Sequence, residues 1–393
     1  MIKLLVAIFT GMVLLISGCG SGGGEPGPVS NGSENADSSV FPINIQKKSL
    51  SAGQYHSLTI DTNSNAYSFG YGDYGALGQT AHTDEHTPKK ISGLSNIHSV
   101  CAGGNHSLVL TSTGDVYSFG SSDYGQLGHG DYESQFSPKK IEGLSDIVAI
   151  AVGSSHSLAL DENGSVYSFG YSGSGELGHN DYTAKLTPTK IATLFNIVAI
   201  AAGRNHSIAL DSSGYVYTFG DYAYGKLGTS DYKDRITPMR VDNLVDVASI
   251  SAGGDHSLAL DKHGNVYGFG LGQFGQLGHP SNDNLSTPTK IASLSNITAI
   301  ATGENYSIVL NASGDVYSFG QGQFGQLGHG NSDDISTPTK VAALSNITTI
   351  SAGCNHTLAI DMNMSVYSFG FGDYGKLGTG NLIMQDFPAL ITY

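Results

Sequence analysis

The chain has no tryptophan in 393 residues. That excludes every repeat whose signature is a Trp-Asp dipeptide. Basic residues are scarce, 18 Lys and Arg against 33 Asp and Glu, and the formal net charge is −15. A surface of that sign repels phosphate backbones, which makes nucleic acid a poor partner. Cysteine is rare at three residues. Cys101 and Cys354 fall at different points of the repeat described below, so no disulfide framework is read and free buried thiols are expected. Apart from Leu4 to Ile16 there is no extended apolar run, and that one is shorter than the ~20 residues a membrane span needs.

Glycine is abundant, at 54 residues, but it sits at fixed places. A glycine after alanine, valine or threonine recurs at Gly53, Gly103, Gly153, Gly203, Gly253, Gly303 and Gly353. A Phe-Gly recurs at Gly70, Gly120, Gly170, Gly220, Gly270, Gly320 and Gly370, and a proline at Pro88, Pro138, Pro188, Pro238, Pro288, Pro338 and Pro388. The period is fifty residues and the copies follow without a gap. Self-similarity of this kind means a stacked array, and glycine at fixed points is turn chemistry rather than disorder.

Within one copy, Ile197 to Ala202 is a short apolar run of the kind found in a strand buried on both faces. His206, Ile208 and Leu210 alternate with Ser207, Ala209 and Asp211, which reads as a strand with one bulky and one small face. Asp211 to Gly214 is a hairpin turn, Val216 to Phe219 a third strand, and Pro238 to Val241 a short fourth strand at an edge. Ser64 and Met364 replace the turn glycine in two copies, so altered turns are expected there. The fold class is all-β: a seven-bladed β-propeller of four-stranded antiparallel blades over 41–393. Closure is expected from pairing of the N- and C-terminal strands, with Phe387 to Thr392 completing the sheet begun near Ser49, and Phe41 to Ile45 adding to it.

The N-terminus reads as an export signal: Lys3, the apolar run, then Ser17-Gly18-Cys19. Ile16 to Cys19 resembles the bacterial lipoprotein box, which implies a signal peptide over 1–18 and lipid on Cys19. Residues 19–40 are rich in Gly, Ser, Pro and Asn and read as a flexible tether. The expected location is the bacterial cell envelope, at the outer membrane or cell surface, with membrane contact through the lipid alone.

The repeat resembles the regulator of chromosome condensation family of seven-bladed propellers. The resemblance rests on Ala252-Gly253-Gly254-Asp255-His256-Ser257-Leu258-Ala259-Leu260, Val266-Tyr267-Gly268-Phe269-Gly270 and Gly275-Gln276-Leu277-Gly278, and it recurs in every copy over 44–393. Members include a nuclear exchange factor for a small GTPase, a plant ultraviolet sensor and a secreted β-lactamase inhibitor. The sensor's chemistry uses tryptophans, which this chain lacks, and an export signal does not suit a nuclear exchange factor. The resemblance therefore points to an extracellular binder or inhibitor.

Candidate chemistry is sparse. His56, His106, His156, His206, His256 and His356 recur one per copy, with Tyr306 in the seventh place. Such spacing is too wide for one metal ion, and the tyrosine points to a structural, hydrogen-bonding role. His129, His179, His279 and His329 read as loop residues. The serine after each ring position is a repeat feature, whereas a catalytic triad is singular. The repeated Gly-x-x-Gly-x-Leu-Gly lacks the Lys-Ser/Thr and helix of a phosphate loop. Asp84-Glu85, Asp283 and Asp333-Asp334 show no calcium spacing. No enzyme activity, cofactor or metal is expected.

What differs between copies is more informative. After Phe-Gly stand Tyr71, Asp73 and Tyr74; Asp123 and Tyr124; Tyr171; Asp221, Tyr222 and Tyr224; Gln273 and Phe274; Gln323 and Phe324; and Phe371, Asp373 and Tyr374. Equivalent loops gather on one face, and aromatic residues beside acids on a rigid scaffold suit a protein-binding surface. A second variable set, Gln54-Tyr55, Gly104-Asn105, Arg204-Asn205 and Glu304-Asn305, lines another turn near the axis or rim. The expected function is non-enzymatic protein binding by a monomer, as inhibitor or adaptor; the alternatives are a carbohydrate-binding module and, more remotely, nucleotide exchange on a small GTPase.

Overall fold

The computed structural model describes residues 49–392. The signal segment, Cys19, the tether and Phe41 to Ile45 lie outside the described residues. The remainder forms seven separate four-stranded antiparallel sheets, each made from one continuous stretch. Blade 1 runs Leu50–Ala52, His56–Ile60, Ala66–Gly70 and Glu85–Lys90; blade 7 runs Ile347–Ala352, His356–Asp361, Val366–Gly370 and Gln385–Ile391. Among the described residues there is no α-helix, and two single 3-10 turns sit at Ala223–Gly225 and Asp373–Gly375.

Burial falls from the first strand of a blade to the last. In blade 4 Ile197–Ala202 and His206–Asp211 are almost wholly buried, while Arg235–Arg240 is half-exposed. The outer strand begins three residues before the expected Pro238, because a register shift between Thr218 and Gly220 pairs Gly220 with Arg235. Pro238 is tolerated there because the outer strand is an edge.

The blades are joined face to face, and three residue types do the joining. One phenylalanine per blade, from Phe69 to Phe369, is fully buried. Each sits against the second glycine of Gly-x-Leu-Gly in the preceding blade: a Cβ on Gly228 would lie 3.0 Å from the Phe269 ring. The glycine of the Ala-Gly series lies so close to its neighbour that a Cβ on Gly203 would be 2.5 Å from the Gly253 carbonyl oxygen. These glycines recur because neighbouring backbone and rings occupy the space of a side chain.

The ring histidines are the third joint. Each Nε2 meets the serine hydroxyl of the next blade: His56 with Ser107, His106 with Ser157, His156 with Ser207, His206 with Ser257, His256 with Ser307 and His356 with Ser57, at 2.7 to 3.0 Å. The serine proton is already committed: Ser107 donates to the Ala76 carbonyl at 2.7 Å and Ser257 to the Lys226 carbonyl at 2.9 Å. Serine therefore accepts, the imidazole carries its proton on Nε2, and the ring is neutral. Burial holds His56 and His106 down to about 3 and His156 and His256 to about 4, and it takes His206 and His356 well below the usual range. Tyr306 fills the seventh place differently, its hydroxyl donating to the His356 carbonyl at 2.5 Å.

Two expectations are corrected. The last strand does not complete the first sheet: Gln385–Ile391 pairs with Val366–Gly370, within the blade that begins at Ile347. Among the described residues the circle closes by packing instead. Phe69 fits Gly378, the Cys354 amide donates to the Gly53 carbonyl at 3.0 Å, and Leu50, Ala52 and Phe69 share one core with Leu358, Ile360 and Val366. The turns at Ser64 and Met364 are not altered either. Both residues adopt the left-handed region, φ 61 and 65, and keep the amide bond to Asp61 and Asp361 that Gly214 makes to Asp211. The aspartate explains this, since Asp361 Oδ1 also accepts from the amides of Asn363 and Ser365 and fixes the turn whatever follows. Met364→Gly removes left-handed strain and is expected to raise stability by about 1 kcal/mol, measured by denaturant unfolding.

Candidate functional site

Each blade places two loops at the same end: the turn after its first strand and the long loop after its third. The Tyr71 amide donates to the Tyr55 carbonyl at 3.0 Å, and the same bond recurs from Ser121 to Asn105, Asp221 to Asn205 and Phe371 to Asn355. Both variable sets therefore lie on one face, the turn residues at the axis and the long loops outside them. The axial cavity is small, about 60 Å³, and is lined by Gln54, Arg204, Glu304, Cys354 and the close-packed glycines. That is well below the several hundred Å³ of a small-molecule site. Among the described residues no three His, Cys, Asp or Glu side chains converge to hold a metal ion. Among the described residues neither cysteine is in a disulfide: Cys101 is buried and donates to the Ile150 carbonyl at 3.2 Å, and Cys354 is half-buried.

Three of the four loop histidines are tied to the blades, His279 facing Gly268 where the others face serine. His129, His179 and His329 meet Ser118, Ser168 and Ser318 through Nε2 at 2.8 to 2.9 Å, and Gln79 reaches Ser68 in their place.

The aromatic residues fall into groups. Across the junction of blades 6, 7 and 1, Phe324 and Phe371 have ring centroids 4.9 Å apart, Tyr374 and Tyr71 4.6 Å, and Tyr71 and Tyr74 5.8 Å. Tyr55, from the axial turn, meets Tyr71 at 6.0 Å and Tyr374 at 6.1 Å, edge to face. Such spacings suit aromatic pairs. Asp73 and Asp373 are exposed at the edge of this group. The Tyr71 hydroxyl donates to Asp73 at 2.9 Å, which pushes its pKa up to about 12. Tyr374 and, in blade 4, Tyr224 are held at φ 62 and 60, a region that side chains rarely occupy.

Across blades 2 and 3, Tyr124 and Tyr171 pair at 5.0 Å beside Asp123. Tyr222 and Tyr224 are exposed on blade 4, Phe274 and Phe324 are half-buried, and Gln273 and Gln323 are exposed. Asp221 holds the buried Lys226 at 2.5 Å, together with Asp255 at 2.6 Å.

Some residues of this face were not anticipated. Tyr132 and Tyr182 are exposed beside Tyr124 and Tyr171. Their signal was the Asp-Tyr dipeptide at 131–132, 181–182 and 231–232, which recurs in three blades only. Lys376 is buried beneath Phe371, with its ammonium 4.7 Å from that ring and 3.4 Å from the Gln54 carbonyl oxygen. Burial lowers its pKa to about 8. Glu176, at the equivalent place in blade 3, is buried and its carboxyl is raised to about 7.

Comparison with known proteins agrees with this architecture. Residues 185–392 match the model of the RCC1-like domain. Residues 63–110 and 113–160 match that of the Regulator of chromosome condensation (RCC1) repeat. Among solved structures, yeast RCC1 (Prp20) bound to Kap60 is 25% identical with a TM-score of 0.77, over 94% of this chain and 91% of that one. Prp20p from Saccharomyces cerevisiae, described with its binding properties to Gsp1p and histones, is 27% identical with a TM-score of 0.76, over 90% and 88% of the two chains. Human WBSCR16 shares the fold at 24% identity and a TM-score of 0.77, over 84% and 94%. No curated protein sequence matches the chain.

Proposed function

Because the chain belongs to the Regulator of chromosome condensation (RCC1) repeat family, we propose that it is a non-enzymatic protein-binding scaffold that engages its partner with the loop face. One observation carries the reading: the continuous aromatic surface formed by Tyr374, Tyr55, Tyr71 and Tyr74 where blade 7 meets blade 1. Exposed tyrosines give large contact area at low entropic cost, and the strained backbone of Tyr374 is the kind of outlier that accumulates at binding sites. Family relatives that bind proteins, Prp20 with Kap60 and with Gsp1p and histones, support the class of function without naming this partner.

The proposed setting is the bacterial envelope, with a monomeric propeller held at a membrane by lipid on Cys19 and acting there as inhibitor or adaptor. Two experiments test these points. Tyr71→Ala with Tyr374→Ala is expected to reduce capture of the partner from envelope extracts by at least about tenfold, the size of one or two aromatic hot spots, with the melting temperature nearly unchanged. Undiminished capture, or equal loss of folding, rejects the surface. Cys19→Ser is expected to move the protein from the detergent phase to the aqueous phase, and unchanged partitioning rejects the anchor.

A further inference from the structure

We propose that the cleft between the loops of blades 2 and 3 receives an arginine side chain of the partner, its guanidinium lying among Tyr124, Tyr132, Tyr171 and Tyr182. This deepens the protein-binding reading of the same face and rests on it. The cleft measures about 470 Å³ and is open to solvent.

It exists because blade 3 departs from the repeat at two adjacent positions. Gly173 stands where the other blades carry Asp73, Asp123, Ala223, Gln273, Gln323 and Asp373. Ser174 stands where they carry tyrosine or phenylalanine. The first change is what permits the observed ring position: a Cβ on Gly173 would lie 2.0 Å from the Tyr171 hydroxyl oxygen. The second leaves blade 3 without the aromatic that the other blades carry at that point of the loop, so tyrosines from both blades line an open space.

The chemistry of the lining selects the ligand. Four tyrosines line the cleft, the charged residue beside them is Asp123, and the lining contains no lysine or arginine. Ring faces carry the negative end of the aromatic quadrupole, so they and Asp123 attract a cation. A guanidinium fits better than an ammonium, because it is planar, stacks on a ring and is less strongly hydrated. The chain already makes this pairing at another place, with the Arg240 guanidinium 3.6 Å from the centre of the Tyr215 ring. The formal charge of −15 draws basic segments toward the surface.

The test is titration of the full chain, carrying ¹³C-labelled tyrosine rings, with acetyl-Gly-Arg-Gly-amide. The same peptide with neutral citrulline in place of arginine, and maltose, are titrated alongside. Saturating shifts of Tyr124 and Tyr171 are expected at about millimolar peptide, with citrulline about tenfold weaker. Gly173→Asp, which installs the residue that blades 1, 2 and 7 carry there, is expected to abolish the shifts while the protein stays folded. Tyr182→Ala gives a second readout should Gly173→Asp fail to fold, and is expected to weaken binding severalfold. Equal binding of arginine and citrulline, saturation by maltose in place of the arginine peptide, or unchanged binding by a folded variant overturns the proposal. Lost partner capture by Tyr71→Ala with Tyr374→Ala, beside intact arginine binding, leaves this cleft standing. Absent arginine binding beside capture that depends on those tyrosines overturns the cleft alone.

Discussion

Acidification from pH 7 to 5.5 is expected to remove several kcal/mol of folding stability, a large share of what many domains possess. The source is the ring of His56, His106, His156, His206, His256 and His356. Each is neutral and buried in the fold, with its pKa about 3 to 4 where a value is resolved and well below normal at His206 and His356. In the unfolded chain each titrates near 6.5. The unfolded state therefore binds more protons below pH 6.5, and the folded state loses ground as pH falls. The stabilisation is complete above 6.5 and is lost toward the folded pKa values, at about 1.4 kcal/mol per histidine per pH unit. Glu176, raised to about 7 by burial, works in the opposite direction with a single proton. Chemical unfolding at a series of pH values should show net proton uptake below pH 6.5, most of it at the six ring histidines, with His129, His179 and His329 adding to it and Glu176 subtracting. Replacing His106 and Ser157 by Tyr and Thr, the pair at Tyr306 and Thr357, should remove one ring histidine's share of it. A melting temperature that stays flat between pH 7 and 5 contradicts this account.

Gly203→Ala is expected to cost at least about 3 kcal/mol and to leave little soluble protein. The added Cβ would stand 2.4 Å from His206 Cε1 and 2.5 Å from the Gly253 carbonyl oxygen. One obstacle is a buried ring already bonded to Ser257, and the other is the backbone of the next blade. Neither moves without opening the circle. Gly93→Ala is the control: its φ is +79 and a Cβ there meets nothing within 4 Å, so it should cost only the left-handed strain of about 1 to 2 kcal/mol. Equal effects of the two, measured by equilibrium unfolding, would show that inter-blade spacing is not what the glycine serves.

Most of the scaffold was readable from the chain alone, for a physical reason. Residues such as Gly203, His206, Phe219 and Pro238 recur because seven copies meet the same packing problem, so their period reports the fold directly. The closure was not readable. A fifty-residue cycle looks the same from any starting point, and the assignment of Gln385–Ile391 to the first or last blade depends on pairing that the period does not encode. The turn at Met364 was misjudged because Asp361, rather than the missing glycine, fixes it. The loop face was partly readable: Tyr71 and Tyr171 stood out as departures on an equivalent loop, whereas Tyr124 and Tyr374 stand where six of the seven copies carry an aromatic, and the two kinds meet in space. The cleft beside Tyr171 was not, since it arises from what blade 3 lacks at Gly173 and Ser174. An absence in one copy reveals its effect only when the neighbouring blade's tyrosines are in place.

The closed circle is tested most directly at its seam, by ¹⁵N spectroscopy of the His356 imidazole across the pH range. His356 Nε2 lies 2.7 Å from the hydroxyl of Ser57, 299 residues away in sequence. The expected result is a neutral ring protonated at Nε2 that does not titrate near pH 6.5, and whose signal shifts when Ser57 is replaced by alanine. A His356 that titrates near 6.5, or that is indifferent to Ser57, would mean that blade 7 does not meet blade 1 and that the aromatic surface built across their junction does not exist.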